Sequence, residues 1–280
     1  MIVILVVIIA STIGLSLVSR SITSIRTSTE EAESQKALSA AEAGIERAIQ
    51  GSVPIALGGN NPDNSSYSTD FKVVQTSSFL INGGNVIPKD EGADVWFVEH
   101  NDDGTPNYSS VLSPLLLNLY WGSPSEKCGG STAPAAIQAI VVTRDRSGTN
   151  EIKSYRYAYD SCSSRRSGNN FTLANSGSFP KDYDEDGKTD ITFGNNTPEY
   201  DLAQGVENIV FMRVIPIYKD TVIGMYACDY GGNNCTSLPP QGYKIISTGV
   251  SGLANRKITV FKGYPQTYLP YLSYGLFVAN

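Results

Sequence analysis

MIVILVVIIASTIGLSLVSRSITSIRTSTEEAESQKALSAAEAGIERAIQ, residues 1–50, is the stretch on which the reading of the whole chain turns. Its first 18 residues carry no charge and nothing more polar than Ser and Thr. As a helix rising about 1.5 Å per residue, that run spans roughly 27 Å, enough to cross a hydrocarbon core. A cleaved signal peptide would open on a basic segment and close at a small-residue cleavage site, and neither is present. A plain single-pass anchor fits these residues equally well, so the distinction rests on residues 19–50. From Ser19 to Gln50 there is no proline and one glycine, Gly44. Ile22, Ile25, Leu38, Ala41, Ile45, Ala48 and Ile49 recur at helical spacing, among the good helix formers Ala, Glu and Gln. Residues 51–54, Gly-Ser-Val-Pro, read as a helix stop. The spacing therefore predicts one helix over residues 1–50, about 75 Å long. Its first third suits lipid (residues 1–18 as transmembrane segment). Its middle, 19–35, is polar with a thin apolar stripe, and its last third is amphipathic and suited to packing on a globular body.

Two shorter stretches make the pattern specific. One is the polar joint Ser19-Arg20-Ser21. The other is ALSAAEAGIERA, residues 37–48, with Ala41, Glu42, Ala43 and Gly44 in sequence. With the apolar start, they resemble the N-terminal region of pilins and pseudopilins of type IV filament systems, the PilX-like branch in particular. The resemblance covers about 50 residues, and STGVSGLANRKITVF (247–261) is similar to the closing strands of such subunits. It implies a structural subunit of a helical homopolymer. Met1, Leu5, Ile9, Gly14, Leu17, Ile22 and Ile25 would lie in the filament core, and Leu38, Ala41, Ile45 and Ile49 would pack on the head. It further implies a prepilin peptidase that removes a short basic leader, a pilus assembly machinery, residence in the inner membrane before assembly, and display on a bacterial surface. The sequence reads as starting at, or a few residues from, the mature end. The acid that many pilins carry near that end falls on Leu5 if Met1 is the first mature residue. Gly14, Ser11 and Thr12 suit close helix approach or local unwinding.

Beyond Pro54 the apolar period switches from helical to two. Strands are expected at 71–74, 93–100, 137–144, 152–159, 207–218, 243–250 and 256–263, separated by linkers rich in turn residues. Residues 112–122, LSPLLLNLYWG, read as a short helix. The fold class is α+β: a long N-terminal α-helix, 1–50, followed by a β-rich extracellular head, 51–280. A split of the head near residue 130 or 180 is the minority alternative.

Charged residues make up 17% of the 280, below the quarter usual in soluble domains. A net charge of −6 gives no overall basic footprint for nucleic acid. The four cysteines allow two disulfides in an oxidising compartment, and their spacing speaks against zinc or thioredoxin-type chemistry. Cys228 and Cys235 close a short loop, CDYGGNNC, and are the first pair expected, which leaves Cys128 with Cys162. Four free thiols are the alternative.

The sharpest chemical motif is DYDEDGKTD, residues 182–190. Asp182, Asp184 and Asp186 alternate before Gly187, and Asp190 comes three residues later, as in the first part of an EF-hand loop, with Lys188 placed to offer its backbone carbonyl. Phe193 stands where the closing bidentate Glu would be, so the pattern is that of shorter extracellular calcium loops, and Ca2+ is expected here. A solvated acidic turn is the alternative. A second acidic stretch, Asn101-Asp102-Asp103-Gly104, reads as a hairpin loop. Catalysis finds little footing: the one histidine, His100, lies beside Glu99 and Asp102, and no nucleophile elbow, zinc-protease, phosphate-loop or dinucleotide fingerprint occurs. Two further readings stay open: a minor pilin or type II secretion pseudopilin, and a membrane-anchored, calcium-dependent adhesin that does not polymerise.

Overall fold

The computed structural model describes residues 2–50, 54–109, 116–145, 151–183, 188–198, 208–228 and 237–264; within these, the side chains of residues 5–10, 13 and 228 are not described. The chain runs through α1 (Ile2–Ala48), β1 (Gly58–Asn60), β2 (Ser66–Val74), β3 (Ser78–Leu80), β4 (Ala93–Trp96), β5 (Glu99–His100), β6 (Pro106–Asn107), β7 (Leu116–Trp121), β8 (Ala136–Arg144) and β9 (Ile152–Asp160). It continues through α2 (Ser163–Asn169), β10 (Thr172–Leu173), β11 (Asn175–Lys181), β12 (Ile191–Asn196), β13 (Ile209–Ile217), β14 (Ile223–Cys228), β15 (Gly242–Ser251) and β16 (Ala254–Gly263). The architecture is α+β, a long helix and a β-rich body. Where the sequence divides the chain at residue 50, the folded chain groups Met1–Lys72 with Lys244–Val260, and Val73–Tyr243 with Phe261–Asn280.

The first unit is the helix and a four-stranded sheet ordered β1-β2-β15-β16. Ala37, Ala40, Ala41, Ile45 and Ala48 are buried, and their spacing of three and four residues draws one stripe down α1. Because nearly every member of that stripe is small, backbone meets backbone. A Cβ added to Gly249 of β15 would stand 2.6 Å from the Ala41 nitrogen and still closer to the Ala37 carbonyl oxygen. One added to Gly44 would stand 2.9 Å from the Tyr67 ring and closer still to Ser247 Oγ. Polar contacts flank the stripe: Arg256 Nε donates to Ser34 Oγ at 2.8 Å, the Leu253 N–H to Glu33 Oε2 at 3.3 Å, and Arg47 Nη1 to Tyr67 Oη at 2.5 Å. Leu38 and Ile49, expected on this face, are instead 42% and 38% exposed. Each sits one residue beyond a buried alanine, about 100° further round the helix.

The second unit packs two five-stranded sheets, ordered β10-β9-β8-β13-β4 and β11-β12-β7-β14-β3. Val95, Ile137, Val141 and Met212 from the first meet Leu117, Leu119, Trp121, Ile223 and Met225 from the second in one apolar core. The opposite face of β8 and β13 carries a second cluster, with Trp96, Ile140, Val142 and Phe211. Burial on both faces explains the continuous apolar runs of β8 and β13. The expected helix at 112–122 is not formed over its described part. Leu116–Trp121 is strand β7, paired along its length with β14. Its Leu-rich run carries no period of its own, and the neighbouring strand decides the matter.

Two hairpin turns share one chemistry. In both Asn61–Ser65 and Asn101–Thr105 the first residue's N–H donates to the last residue's carbonyl, at 2.8 and 2.9 Å. The central Asp63 and Asp103 carboxylates accept from the last residue's N–H and hydroxyl. Those donors hold both carboxyls below the usual range. The second turn joins β5 to β6, as its sequence suggested.

Candidate functional site

Below its sheet-packed end, α1 carries apolar side chains that nothing among the described residues covers. Ile2 is 82% exposed, Leu15 71% and Ile25 65%, and Leu17, Val18 and Ile22 are similarly open. Gly14 has no atom within 4 Å of where a Cβ would stand, so the helix is bare there too. A helix is expected to hide such residues against its own chain, against lipid, or against another molecule. Met1 and the side chains of Leu5 and Ile9 lie outside the described residues. Among the described residues no helix is long and apolar enough to cross a membrane; the side chains of residues 5–10 and 13, all apolar, are not among them. Thr23 and Thr29 return their hydroxyls to the carbonyls of Ser19 and Ile25 at 2.9 Å. Arg26 pairs with Glu30 one turn on at 2.9 Å, both well exposed.

The acidic motif falls in the connection between β11 and β12, whose register pairs Lys181 with Ile191 and so brings its two ends together. Asp190 ties the base: its N–H donates to the Lys181 carbonyl at 2.9 Å, and its Oδ2 accepts from the Tyr183 N–H at 2.6 Å. The Tyr183 ring lies against the bare Cα of Gly224, its hydroxyl without a hydrogen-bond partner among the described residues, and burial pushes that phenol upward. Lys181 Nζ stands over the rings of Tyr120 and Tyr226, 4.1 and 4.8 Å from their centroids. Asp184 and Asp186 lie outside the described residues. Among the described ones no group of three or more His, Cys, Asp or Glu side chains is placed to hold a metal.

Cys128 and Cys162 are joined by a disulfide; Cys235 and the side chain of Cys228 lie outside the described residues. Beside that bridge the fully buried Asp160 receives Arg165 through Nε at 2.9 Å and Nη2 at 2.7 Å. It also receives the Cys162 N–H at 2.8 Å and Asn169 Nδ2 at 3.1 Å, so four donors converge on one carboxylate. Sequence reasoning passed this cluster by, because a DSCSSRR stretch looks like an ordinary polar turn.

His100 stacks on Tyr264 at 3.7 Å and meets the edge of Trp96 at 4.5 Å. Neither imidazole nitrogen has a hydrogen-bond partner among the described residues, and burial lowers the ring's pKa to about 4. A ring so placed packs against its aromatic neighbours. No family model, no curated protein and no solved structure matches this chain.

Proposed function

We propose that the chain is a structural subunit of a type IV pilus-like filament, polymerising through its hydrophobic N-terminal helix while the head forms the filament surface. One observation carries this reading: α1 is a single run from Ile2 to Ala48 that meets its sheet over residues 33–48, and the apolar side chains described in its first half are exposed. Each exposed Leu or Ile gains about 1.5–3 kcal/mol on burial, so several of them strongly favour lipid or like helices over water. Before assembly that half lies in the inner membrane; in the filament it lies among identical helices. Cleavage by a prepilin peptidase and delivery by a pilus assembly machinery are implied by the N-terminal resemblance. No chemical step is required of the subunit.

The acidic hairpin belongs to the same reading as a Ca2+ site, with Asp182, Asp184, Asp186 and Asp190 as carboxylate donors and the Lys188 carbonyl completing the set. What supports it is the alternation of acids together with the closed base at Lys181 and Asp190. Calcium at a hundred times its Kd stabilises the folded chain by about 2.7 kcal/mol, so the melting temperature should rise with added Ca2+ and stay put in Asp182→Asn/Asp190→Asn. An unchanged melting temperature in the parent chain rules the site out.

The deciding experiment is electron microscopy of sheared surface material with antibody against the head. Filaments labelled along their length support the proposal. A chain that stays monomeric in its membrane supports the anchored, non-polymerising adhesin and ends it.

A further inference from the structure

We infer that two charge bands on α1 set the axial stagger between neighbouring copies of this chain in the assembly proposed above, on which this inference rests. Between residues 19 and 35 the helix has just two basic side chains, Arg20 and Arg26, and then Glu30, Glu31 and Glu33. Glu33 faces its own sheet, accepting the Leu253 N–H. The pair Arg26–Glu30 is 80% and 66% exposed, and a surface pair so placed is worth little within one copy. Neither Arg20 nor Glu31 has an ion-pair partner among the described residues.

Helices that enter from one bilayer lie parallel. Parallel neighbours at equal height set Arg beside Arg and Glu beside Glu, which is repulsive. Sliding one copy by the distance between the bands brings Arg20 and Arg26 to either side of the next copy's Glu30 and Glu31, each about 4 Å from them along the axis. The band centres are seven to eight residues apart, an offset of about 11 Å at 1.5 Å per residue. Once the surrounding Ile22 and Ile25 are packed, these charges are shielded from water and their mutual attraction grows. Apolar burial drives association without direction, and the bands give it a register.

The test exchanges the bands in the full chain: Arg20→Glu, Arg26→Glu, Glu30→Arg and Glu31→Arg together, which keeps the 26–30 pair in reversed sense. The swapped chain should assemble with itself, and the parent with itself. Co-expressed, they should form separate filaments, because a mixed contact sets like charges together. A half-swap, Arg20→Glu/Arg26→Glu, should lower the filament yield by about fivefold or more, as expected when several such pairs turn repulsive. Thr23→Cys/Ala32→Cys supplies the register. These positions face opposite sides of one helix about 13 Å apart in rise, so they cannot bridge within a copy, and staggered neighbours should oxidise into a ladder. Filaments that mix parent and swapped chains freely, or that give no ladder, overturn the register while leaving the filament reading intact. Absence of any filament from the parent chain overturns both.

Discussion

Replacing Gly249 by Ala adds one methyl group at the point where β15 touches α1. The new Cβ would stand 2.6 Å from the Ala41 nitrogen and closer still to the Ala37 carbonyl oxygen. Both are backbone atoms of a hydrogen-bonded helix, so no rotamer change relieves the overlap. The helix has to retreat by about an ångström, and a gap of that size forfeits a quarter to a half of each dispersion contact along the Ala37–Ala48 stripe. Overpacking alone costs about 1–3 kcal/mol, and with the lost contacts the total comes to about 3 kcal/mol. For a chain of this size that lowers the melting temperature by about 6–12 °C. Two other glycines calibrate the measurement. Gly44→Ala meets side-chain atoms of Ser247, Tyr67 and Thr69, which can partly yield, and gains helix propensity, for a net loss of about 1 kcal/mol. Gly14→Ala meets nothing within 4 Å and should be neutral or slightly stabilising. Thermal unfolding by circular dichroism reads the first quantity, and hydrogen exchange on the amides of β2 and β15 locates it. If Gly249→Ala melts within about 2 °C of the parent with unchanged exchange, the close approach of helix and sheet is wrong.

The pH dependence of His100 comes from its burial. The folded ring takes up a proton only near pH 4, the unfolded one near 6.5, so its contribution is complete above 6.5 and is lost as pH falls from 6.5 towards 4. Allowing for partial solvation, the loss amounts to about 2 kcal/mol, and His100→Phe should remove that part of the acid destabilisation. As the chain's one histidine, it gives a single ring resonance by NMR, whose midpoint should lie below pH 5, and a midpoint at 6.5 contradicts the buried stack. Arg165→Met strands the buried Asp160 carboxylate and should cost about 3–5 kcal/mol in denaturant titration, with part recovered in Asp160→Leu/Arg165→Met. No recovery would assign the loss to packing instead of charge. Opening the Cys128–Cys162 bridge, which spans 34 residues, should cost about 3–4 kcal/mol, read as the shift of the unfolding midpoint in Cys128→Ser/Cys162→Ser.

How much of this was legible in advance depended on where the deciding contact lies. The helix was plain, because the spacing of Leu38, Ala41, Ile45 and Ala48 and the lack of proline act between residues on neighbouring turns. Strands β8, β9, β13, β15 and β16 were also plain, since their β-branched and aromatic runs suit a pleated surface whatever the partner. β7, β11 and β14 were not. LLNLYW has no period, and NSGSFPK contains Gly and Pro, so each becomes a strand only because another strand offers it hydrogen bonds. The acidic motif was visible letter by letter; that a β-hairpin closes it at Lys181 and Ile191 was not.

By itself, then, the sequence determined one long helix with a greasy front, a β-rich body and an acidic turn, all set by interactions among residues close in the chain. The tertiary structure alone decided that strands from the far end, residues 244–260, return to sheet with β2 and pack on that helix. It also decided that Gly44 and Gly249 become contact points, that Cys128 meets Cys162, and that His100 is walled in by Trp96 and Tyr264. Most of these contacts join residues far apart in the chain, through packing, ring stacking or a disulfide, and local spacing carries no record of which distant residue will supply the other half.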